Sequence, residues 1–326
     1  MGAGEVSTIP GVMKFPEVSV VMSVYNGAKD LPATLQSVLD QQGCSFEFIV
    51  VNDGSADVSG RILDEWAAQD ARLRVIHQAN AGLTRALIRG CAEARGEFIA
   101  RQDNGDVSLP GRLARQVALL KARLDAVAVS CHTRFIGPEG EALYESSVAA
   151  DELNAGLKGR DEGGLIGPSH HGSVMMRRGA YQAAGGYRAP FYFAQDIDLW
   201  TRLVEVGPFA VVPEALYEAR IEPGSISGTQ TEEQRILGGL IARAAQARRA
   251  GAAEDAILAA AAQVRPVHKA GRARREALGN YFIGSCLRHA NPRAAATYFE
   301  RALASDPWLW RARFRWLQTR MSGLTR

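Results

Sequence analysis

The sequence predicts an α/β fold in which a mixed, mostly parallel sheet lies between helices, followed by an all-α C-terminal region. Two observations predict it. Over the first hundred residues, short apolar and β-branched runs alternate with amphipathic helical segments, which is typical of right-handed βαβ units. From Thr231 onward the hydrophobic pattern is helical. We therefore expect a flexible leader over 1–16, an α/β domain over 17–230 and a basic helical region over 231–326.

The first strand and helix set the pattern. Residues 18–24 are an apolar, β-branched run that ends at the turn-forming pair Asn26 and Gly27, and we expect a buried parallel strand. Asp30 is then a candidate N-cap, because apolar side chains recur at helical spacing over residues 31–39.

The later elements follow by the same criteria. Strands are predicted at 46–51, 73–76, 98–102, 126–131 and 174–176, and helices around 62–66, over 83–94, from Pro110 and from Gln195. Residues 137–165 are polar and rich in glycine, and are predicted to form a loop or lid.

Polar side chains follow three of these strands. Tyr25 and Asn26 follow the first, Asp53 the second, and Asp103 and Asp106 the fourth. Ligands of open parallel sheets bind at the carboxyl ends of the strands, so we expect these side chains to meet in one crevice. The chain has neither a G-x-G-x-x-G after its first strand nor a G-x-x-x-x-G-K-[ST]. A nucleotide bound here would therefore need a metal ion for its phosphates.

The acidic stretch 101–110 allows two interpretations. By themselves Asp, Asn and Gly favour a solvated turn. Carboxylates at the end of a parallel strand can instead hold a hard divalent cation, which in turn holds phosphate oxygens. The two other polar strand ends beside Asp103 and Asp106 favour the cation site.

Cysteine spacing and hydropathy exclude several classes of protein. The four cysteines, at 44, 91, 131 and 286, have no close pair, which argues against a zinc knuckle or a disulfide framework and favours reduced thiols. No run of ~18 apolar residues predicts a membrane span, and the start lacks a basic segment followed by an apolar one. We therefore expect a cytoplasmic protein.

Charge is distributed unevenly along the chain. Residues 231–326 hold 17 Lys and Arg against 7 Asp and Glu, whereas the whole chain has a net charge of +3, so the first 230 residues carry −7. Such a basic region suits anionic lipid at the inner face of the plasma membrane, or is a solvated arginine-rich helical face. A nucleic-acid partner would explain the basic region but not the convergent acids, and is not expected.

Several motifs together resemble those of family 2 glycosyltransferases. They occur in the order seen in that family, over about Val18 to Ser227, and read VSVVMSVYNGAKDLPATLQSVL, FIVVNDGSADVS, NAGLTRALIRG, GEFIARQDNGDVSLPGRL, HHGSVMMRRGAY, GGYR and AQDIDLWTRL. The resemblance implies the GT-A fold and a bacterial-type enzyme of surface polysaccharide synthesis. It also implies an inverting transfer from a UDP- or dTDP-type sugar to a glycan or lipid-linked acceptor, assisted by Mg²⁺ or Mn²⁺.

The resemblance also assigns roles to residues. Asp196 resembles the catalytic base, and the residues that would bind the donor or its metal are Tyr25, Asn26, Asp53, Arg85, Asp103 and Asp106. Each has a structural alternative: a turn cap for Asp53, a helix surface charge for Arg85 and a helix cap for Asp196. On the acceptor side the resemblance places His171, Gln195 and Asp198, although a histidine held by backbone groups and a surface aspartate are the competing interpretations.

Three departures from the family pattern modify these expectations. Gly105 stands where the second acid of a D-x-D signature belongs, and Gln195 replaces the usual glutamate before the base. Where relatives carry Arg-x-His, this chain has Arg220-Ile221-Glu222, so we expect Glu222 to serve as a metal ligand with Asp103 and Asp106. The departures also support a second hypothesis, a catalytically weak relative that binds nucleotide sugar or acts as a scaffold.

The C-terminal end carries two further patterns. Residues 288–313 resemble one tetratricopeptide-like hairpin, which must pack against the catalytic domain or against another copy of the chain in a homo-oligomer. Residues 308–316 mix tryptophan and arginine, which suits a membrane interface or, at helical spacing, core plus surface.

Overall fold

A computed structural model describes residues 15–159, 165–224, 232–265 and 271–322. Of the leader expected over 1–16, residues 1–14 lie outside the described residues. In the described part of the chain, nine strands form one sheet: β1 Val18–Val24, β2 Phe46–Asp53, β3 Leu73–Gln78, β4 Phe98–Arg101, β5 Val107–Ser108, β6 Ala128–Ile136, β7 Ala142–Ser146, β8 Met175–Arg177 and β9 Phe209–Arg220.

Helices cover both faces of this sheet and make up the C-terminal region. The described helices are α1 Leu31–Leu39, α2 Ser59–Ala67, α3 Leu83–Ala92, α4 Arg112–Ala122, α5 Ala150–Leu157, α6 Arg178–Ala183, α7 Gln195–Val206, α8 Glu232–Arg249, α9 Asp255–Ala261, α10 Arg272–Leu287, α11 Pro292–Ser305 and α12 Trp310–Ser322.

The sheet is mixed and mostly parallel, as predicted. Its order is β3-β2-β1-β4-β8-β6-β9-β5, with β7 beside β6. Strands β1 to β4 run parallel to one another, and β8 is antiparallel to both of its neighbours, β4 and β6. Parallel strands covered on both faces are continuous apolar runs, which is why β1 and β2 start at the residues that the sequence predicts.

Two cores lie on the two faces of the sheet. One face packs against α1, α2 and α4, and also receives buried side chains from α10 and α11. The other face packs against α3, α5, α6 and α7. Alternate residues of β1 divide between the two, with Val20 in the first core and Val21 in the second.

The prediction of a loop over 137–165 was wrong in part. The segment contains β7 and α5. β7 is a mostly exposed strand and lacks the apolar run that marks a buried one. α5 is short, and Leu153 and Leu157 are its only large apolar side chains.

The long strand β9 was not predicted either. It contains Pro213, which is rare inside strands, and the pairing with β6 skips from Val212 to Ala215 at that point. β9 carries Tyr217 and Arg220 to the edge of the site described below.

The C-terminal helices pack on the α/β domain rather than standing apart from it. α8 and α9 contribute Leu237, Leu240 and Ala261 to a small core with Phe191, which precedes α7. α11 with part of α12 covers the segment that resembles a tetratricopeptide hairpin. None of the helices that the structure describes is long and apolar enough to cross a bilayer.

Candidate active site

A cavity of about 1110 Å³ opens at the carboxyl end of β4. Four parts of the chain line it: the acidic loop 103–106, residues within 165–171, residues 192–197 around the start of α7, and one face of α8. Glu222, just after β9, lines it as well. The cavity is larger than a typical site for one small ligand, so it has room for two substrates side by side.

The acidic loop needs glycine at the position where the family signature has an acid. Gly105 has φ +96°, a left-handed conformation that costs other residues about 1–2 kcal/mol. Its N–H donates to Oγ1 of Thr34 at 3.0 Å, and the neighbouring Asn104 donates to the carbonyl of Gly27 at 3.1 Å. The loop is therefore held to α1, and its two acids, Asp103 and Asp106, are three residues apart.

Two buried arginines lie under this loop. Arg101, 2% exposed, forms an ion pair with Asp103. Arg112 is fully buried and donates to the carbonyl of Arg101 at 2.8 Å and to that of Gly172 at 2.6 Å. Burial works against the charged form of Asp103, but the positive charge of Arg101 beside it lowers its pKa overall. Asp103 is therefore ionised.

Asp106 lies deeper. Its carboxylate accepts two hydrogen bonds, one from the hydroxyl of Tyr217 at 2.9 Å and one from the backbone N–H of Arg220 at 3.1 Å. Burial and the nearby charge of Asp103 raise its pKa to about 6, although His170 and these hydrogen bonds oppose the shift. Two acids this close disfavour a second negative charge, and a cation between them would remove that cost.

His170, which was not among the residues predicted for the site, completes the cluster. Its Nδ1 lies 3.7 Å from Asp106 Oδ2 and 4.0 Å from Asp103 Oδ2. The imidazole stacks on Tyr217 at 5.4 Å, and it accepts the N–H of Gly172 at 3.1 Å. Gly172 is required because a Cβ there would overlap the Tyr217 hydroxyl. In the sequence, no pattern distinguishes the role of His170 from that of its neighbour His171.

Asp103, Asp106 and His170 fit a divalent cation. Their ligand atoms lie within 4.8 Å of one another. Carboxylate oxygens suit Mg²⁺ and Mn²⁺, and the imidazole nitrogen favours Mn²⁺ over Mg²⁺. Glu222, predicted as the third ligand, lines the same cavity, but its carboxylate pairs with Lys29 at 3.3 Å.

Asp196 lies at the start of α7 and lines the cavity. Its carboxylate accepts the N–H of Ile197 at 2.9 Å, and among the described residues no lysine or arginine pairs with it. Burial raises its pKa above the ordinary range of an aspartate, although these backbone groups oppose the shift. Ala194, with φ +55°, precedes it, and non-glycine residues in this conformation are typical of functional sites. An unpaired carboxyl with a raised pKa suits a general base.

Asp198 has another environment. It is fully buried, and both of its oxygens are held by arginines: Arg202 donates at 2.6 Å, and Arg188 pairs with it on the other side. The geometry assigns Asp198 to this ion-pair network rather than to contact with an acceptor. Gln195, the other predicted acceptor residue on α7, does line the cavity.

His171 is partly buried on the cavity wall. Its Nε2 lies 2.7 Å from the hydroxyl of Tyr187, and its ring packs edge-on against Trp200 at 6.0 Å. Burial lowers its pKa to about 3, so the imidazole is neutral at physiological pH. The partner of the His171 imidazole is thus the side chain of Tyr187, whereas the structural alternative for this residue was a histidine held by backbone groups.

Asp53, predicted to contact the donor base, organises the loop after β3. Gln78 donates to its carboxylate at 2.7 Å, the N–H groups of Ala81 and Gly82 donate at 2.9 Å each, and Asn80 donates at 3.3 Å. The carboxylate thus fixes the conformation of the loop that leads to α3. Its contact with a donor base stays a prediction.

The other predicted donor residues lie around the carboxyl ends of β1 and β2. Asn26 accepts the N–H of Ala56 at 2.8 Å, which joins the loops after the two strands. Tyr25 is 57% exposed. Arg85 lines a smaller cavity of about 140 Å³, whose wall Tyr192 shares with the large one. Their roles toward a donor also stay predictions.

Comparisons with known proteins agree with this geometry. The model of the family "Glycosyl transferase family 2" matches residues 19–185. The chain is 34% identical over 213 residues to "Putative glycosyltransferase EpsE" of Bacillus subtilis, a match that covers 63% of this chain and 73% of the relative. An uncharacterized glycosyltransferase of Haemophilus influenzae is 26% identical, over 67% of this chain and 70% of its own.

Solved structures share the fold at low identity. S. aureus TarS 1–349, solved with UDP-GlcNAc, has a TM-score of 0.56 at 16% identity and covers 94% of this chain and 92% of its own. The mannosyltransferase PcManGT of Pyrobaculum calidifontis, solved with GDP-Man and Mn²⁺, has a TM-score of 0.52 at 18% identity, over 96% and 88%. The fold and the matching relatives define a glycosyltransferase of the GT-A fold. The chain belongs to glycosyl transferase family 2, which confirms the predicted family and fold.

Proposed function

We propose that this glycosyltransferase moves a sugar from a nucleoside diphosphate sugar to a hydroxyl of a glycan or lipid-linked acceptor, with inversion at the anomeric carbon. One observation carries the proposal. A single cavity holds the cluster Asp103, Asp106 and His170 together with Asp196, a partly buried carboxyl with which no described lysine or arginine pairs. A cation site and an unpaired base are the two groups that such a displacement needs.

Asp196 performs the proton transfer in this proposal. The acceptor oxygen forms its bond to the anomeric carbon while the bond from that carbon to the diphosphate oxygen breaks. The hydroxyl proton goes to the Asp196 carboxylate, and the electron pair of the broken bond leaves with the nucleoside diphosphate. Attack from the face opposite the leaving group inverts the configuration. The raised pKa of Asp196 brings its basicity closer to what the proton transfer requires.

Asp103, Asp106 and His170 would hold Mn²⁺ or Mg²⁺ at the other end of the reacting bond. A bound cation supplies positive charge that offsets the charge of the departing diphosphate. Arg101 keeps Asp103 ionised for this role, and Tyr217 orients Asp106 through its hydroxyl. Glu222 would add a fourth ligand after release from Lys29, as the sequence pattern suggests.

The nucleoside would lie toward the ends of β1 and β2. Asp53, Asn26, Tyr25 and Arg85 are the proposed contacts, with a UDP- or dTDP-type donor. Asp53 already accepts four hydrogen bonds, two on each carboxylate oxygen, so we expect it to contact a base only if one of these bonds is exchanged. UDP-sugars are the first donors to test, because TarS, which shares the fold, was solved with UDP-GlcNAc.

A thermal-shift panel tests the proposal. UDP-, dTDP- and GDP-sugars are added to the full chain with and without MnCl₂, since a ligand that binds the native state raises its melting temperature. We expect one class of donor to stabilise the protein, with a larger shift when Mn²⁺ is present. If none of the three shifts the melting temperature under either condition, the proposed donor chemistry is wrong. Donor binding without turnover would instead favour the catalytically weak relative.

We also propose peripheral contact with the cytosolic face of an anionic membrane. Trp308 and Trp310 are 90% and 69% exposed, Phe314 is exposed, and the neighbouring Arg311 and Arg313 are exposed as well. Tryptophan beside arginine is typical of segments that lie in the headgroup region of a bilayer, and the arginines suit anionic lipid.

Vesicle co-sedimentation tests the membrane contact. We expect the double variant Trp308→Ser/Trp310→Ser to lose binding to phosphatidylglycerol vesicles, whereas Leu124→Ser, at an 81% exposed apolar residue after α4, keeps it. Equal binding of the double variant and the wild type would contradict the proposal. Sedimentation velocity of the same proteins reports whether the surface pairs two copies of the chain instead.

A further inference from the structure

One face of α8 forms a wall of the cavity. This helix lies outside residues 19–185, over which the family model matches. The residues that line the cavity share one side of the helix: Gln234, Arg235, Gly238 and Ala242. The C-terminal region therefore contributes to the site directly.

The wall is fixed in place by ion pairs to the α7 side of the site. Arg248, at the end of α8, donates to Glu205 of α7 at 2.5 Å. Glu254, just before α9, accepts from Arg188 at 2.7 Å, and Arg188 also pairs with the buried Asp198. These partly buried ion pairs favour one arrangement of the two helices. α8 therefore keeps its place against the helix that carries Asp196.

Gly238 keeps this wall open. A Cβ added at Gly238 or at its neighbour Gly239 would have no heavy atom within 4 Å. Only Gly238 lines the cavity, while Gly239 is exposed on another side of the helix. Two consecutive glycines disfavour a helix compared with alanine, so the absence of a side chain on the cavity wall points to a function.

Other residues of the same cavity suit a sugar. Tyr192 and Phe193 pack edge to face with their centroids 4.9 Å apart, and both line the cavity. Trp200 also lines it and is only 2% exposed, yet its indole N–H has no acceptor among the described residues. Buried donors are normally satisfied, so this one suggests a ligand oxygen or a water in the working enzyme. Aromatic faces with a few polar groups are typical of carbohydrate-sized sites.

Arg235 adds a positive charge. It is exposed on the cavity wall, and no described residue forms an ion pair or hydrogen bond with it. The other charged side chains on the wall are mostly acidic, among them Asp30 and Glu222. Because Arg235 pairs with none of these acids, it is available to a ligand that is itself negative.

We propose that the α8 wall is the acceptor subsite and that it binds an anionic saccharide. Its sugar ring packs along Gly238 beside Tyr192 and Phe193, and its negative group pairs with Arg235. The inference rests on the proposed function: the acceptor hydroxyl must reach Asp196, and α7, which carries Asp196, packs directly on α8. The negative group is either the phosphate of a lipid-linked sugar or the carboxylate of a uronic acid.

Two glycine variants test the wall. Titration by saturation-transfer NMR, with nucleoside diphosphate and Mn²⁺ present, measures binding of three probes. These are a farnesyl diphosphate-linked N-acetylglucosamine, a glucuronate-containing disaccharide and neutral lactose. We expect Gly238→Leu to weaken binding of the anionic probe at least tenfold, because the side chain fills the wall. Gly239→Leu, the matched control, should stay within twofold of wild type.

Two arginine variants test the charge. In the wild type at least one anionic probe should bind ten times more tightly than lactose, and the one that does so identifies the source of the negative group. Arg235→Gln should remove most of that preference. Arg243→Gln, on an exposed part of the same helix away from the cavity, should keep it.

The outcomes separate this inference from the proposed function. If neither anionic probe binds better than lactose, or if both glycine variants behave alike, the α8 subsite is wrong even when donor binding is intact. If Arg235→Gln weakens the donor and not the saccharide, Arg235 belongs to the donor site and the inference also fails. Failure of every nucleotide sugar to bind wild type would refute the proposed function itself.

Discussion

The acidic loop after β4 and the first turn of α7 each carry two aspartates near the same cavity, but the environments of these aspartates differ. In the loop, Asp103 and Asp106 both take part in one cluster with His170. On α7, Asp196 lines the cavity without a described cationic partner, whereas Asp198 is fully buried between two arginines. The four residues are of the same type, and it is the partners of each carboxylate that differ.

The comparison indicates what each carboxylate can do. A carboxylate whose two oxygens are both held by arginines is engaged in structural ion pairs rather than open to a substrate. A carboxylate beside another carboxylate and an imidazole can share a cation. Asp196 has neither arrangement and its pKa is raised, which supports its proposed role as the base. The predictions below test each of these assignments.

The largest effect is expected for Asp196→Asn. An amide cannot accept the acceptor proton, and loss of a general base lowers kcat by roughly 10²–10⁴-fold. Donor binding by thermal shift should persist, because the metal cluster is untouched. Single-turnover transfer and donor binding measured on the same preparation check the prediction. A rate within tenfold of wild type would remove Asp196 from the mechanism.

Asp198→Ala should act on stability. Removing Asp198 leaves Arg188 and Arg202 without their buried partner, and breaking a buried pair in this way costs about 3–5 kcal/mol. Chemical denaturation measures the change in the free energy of unfolding. Asp196→Asn is the matched control. Because the pKa of Asp196 is raised in the folded state, its contribution to stability is lost as pH rises, and the amide should not destabilise at neutral pH. Equal losses in both variants would contradict the distinction.

Much of the fold could be predicted because its central strands are continuous apolar runs. β1 matches the predicted residues, and β2 and β4 start where predicted. β9 could not be predicted, since Pro213 interrupts its pattern and its place depends on pairing with β6. The helical region was predicted as a class, but its packing against both α7 and the sheet depends on long-range contacts.

The site was predictable where a sequence motif marks it, at the end of β4 and at the start of α7. Asp103, Asp106 and Asp196 were predicted from sequence, and the structure brings them to one cavity. His170 was missed because only the fold carries it onto Tyr217 and the acidic loop. Helical periodicity offered one unused signal: residues two apart on a helix point about 200° apart, so Asp196 and Asp198 cannot both face one cavity.

His170→Ala and Glu222→Ala measured together identify the third metal ligand. The geometry favours His170, and its loss should weaken Mn²⁺ at least as much as the roughly 10-fold typical of an outer-shell change. Glu222→Ala should have the smaller effect, because Glu222 pairs with Lys29. Mn²⁺ titration of donor-dependent stabilisation gives both values. A larger loss in Glu222→Ala would restore the ligand set predicted from the sequence.

The smallest expected effect is a shift in the pH at which kcat falls on the acidic side of its pH profile, the acidic limb. Asp196 must be ionised to accept a proton, so the rate falls as the pH drops through its pKa. Burial raises that pKa, and the limb should therefore lie above the pH of about 3.9 at which an ordinary aspartate titrates. The measurement is kcat against pH at saturating donor and Mn²⁺, so that titration of the metal ligands does not affect the profile. In Asp196→Glu the acidic limb should move along the pH axis and keep its shape. A limb unchanged in that variant would assign the titration to another group.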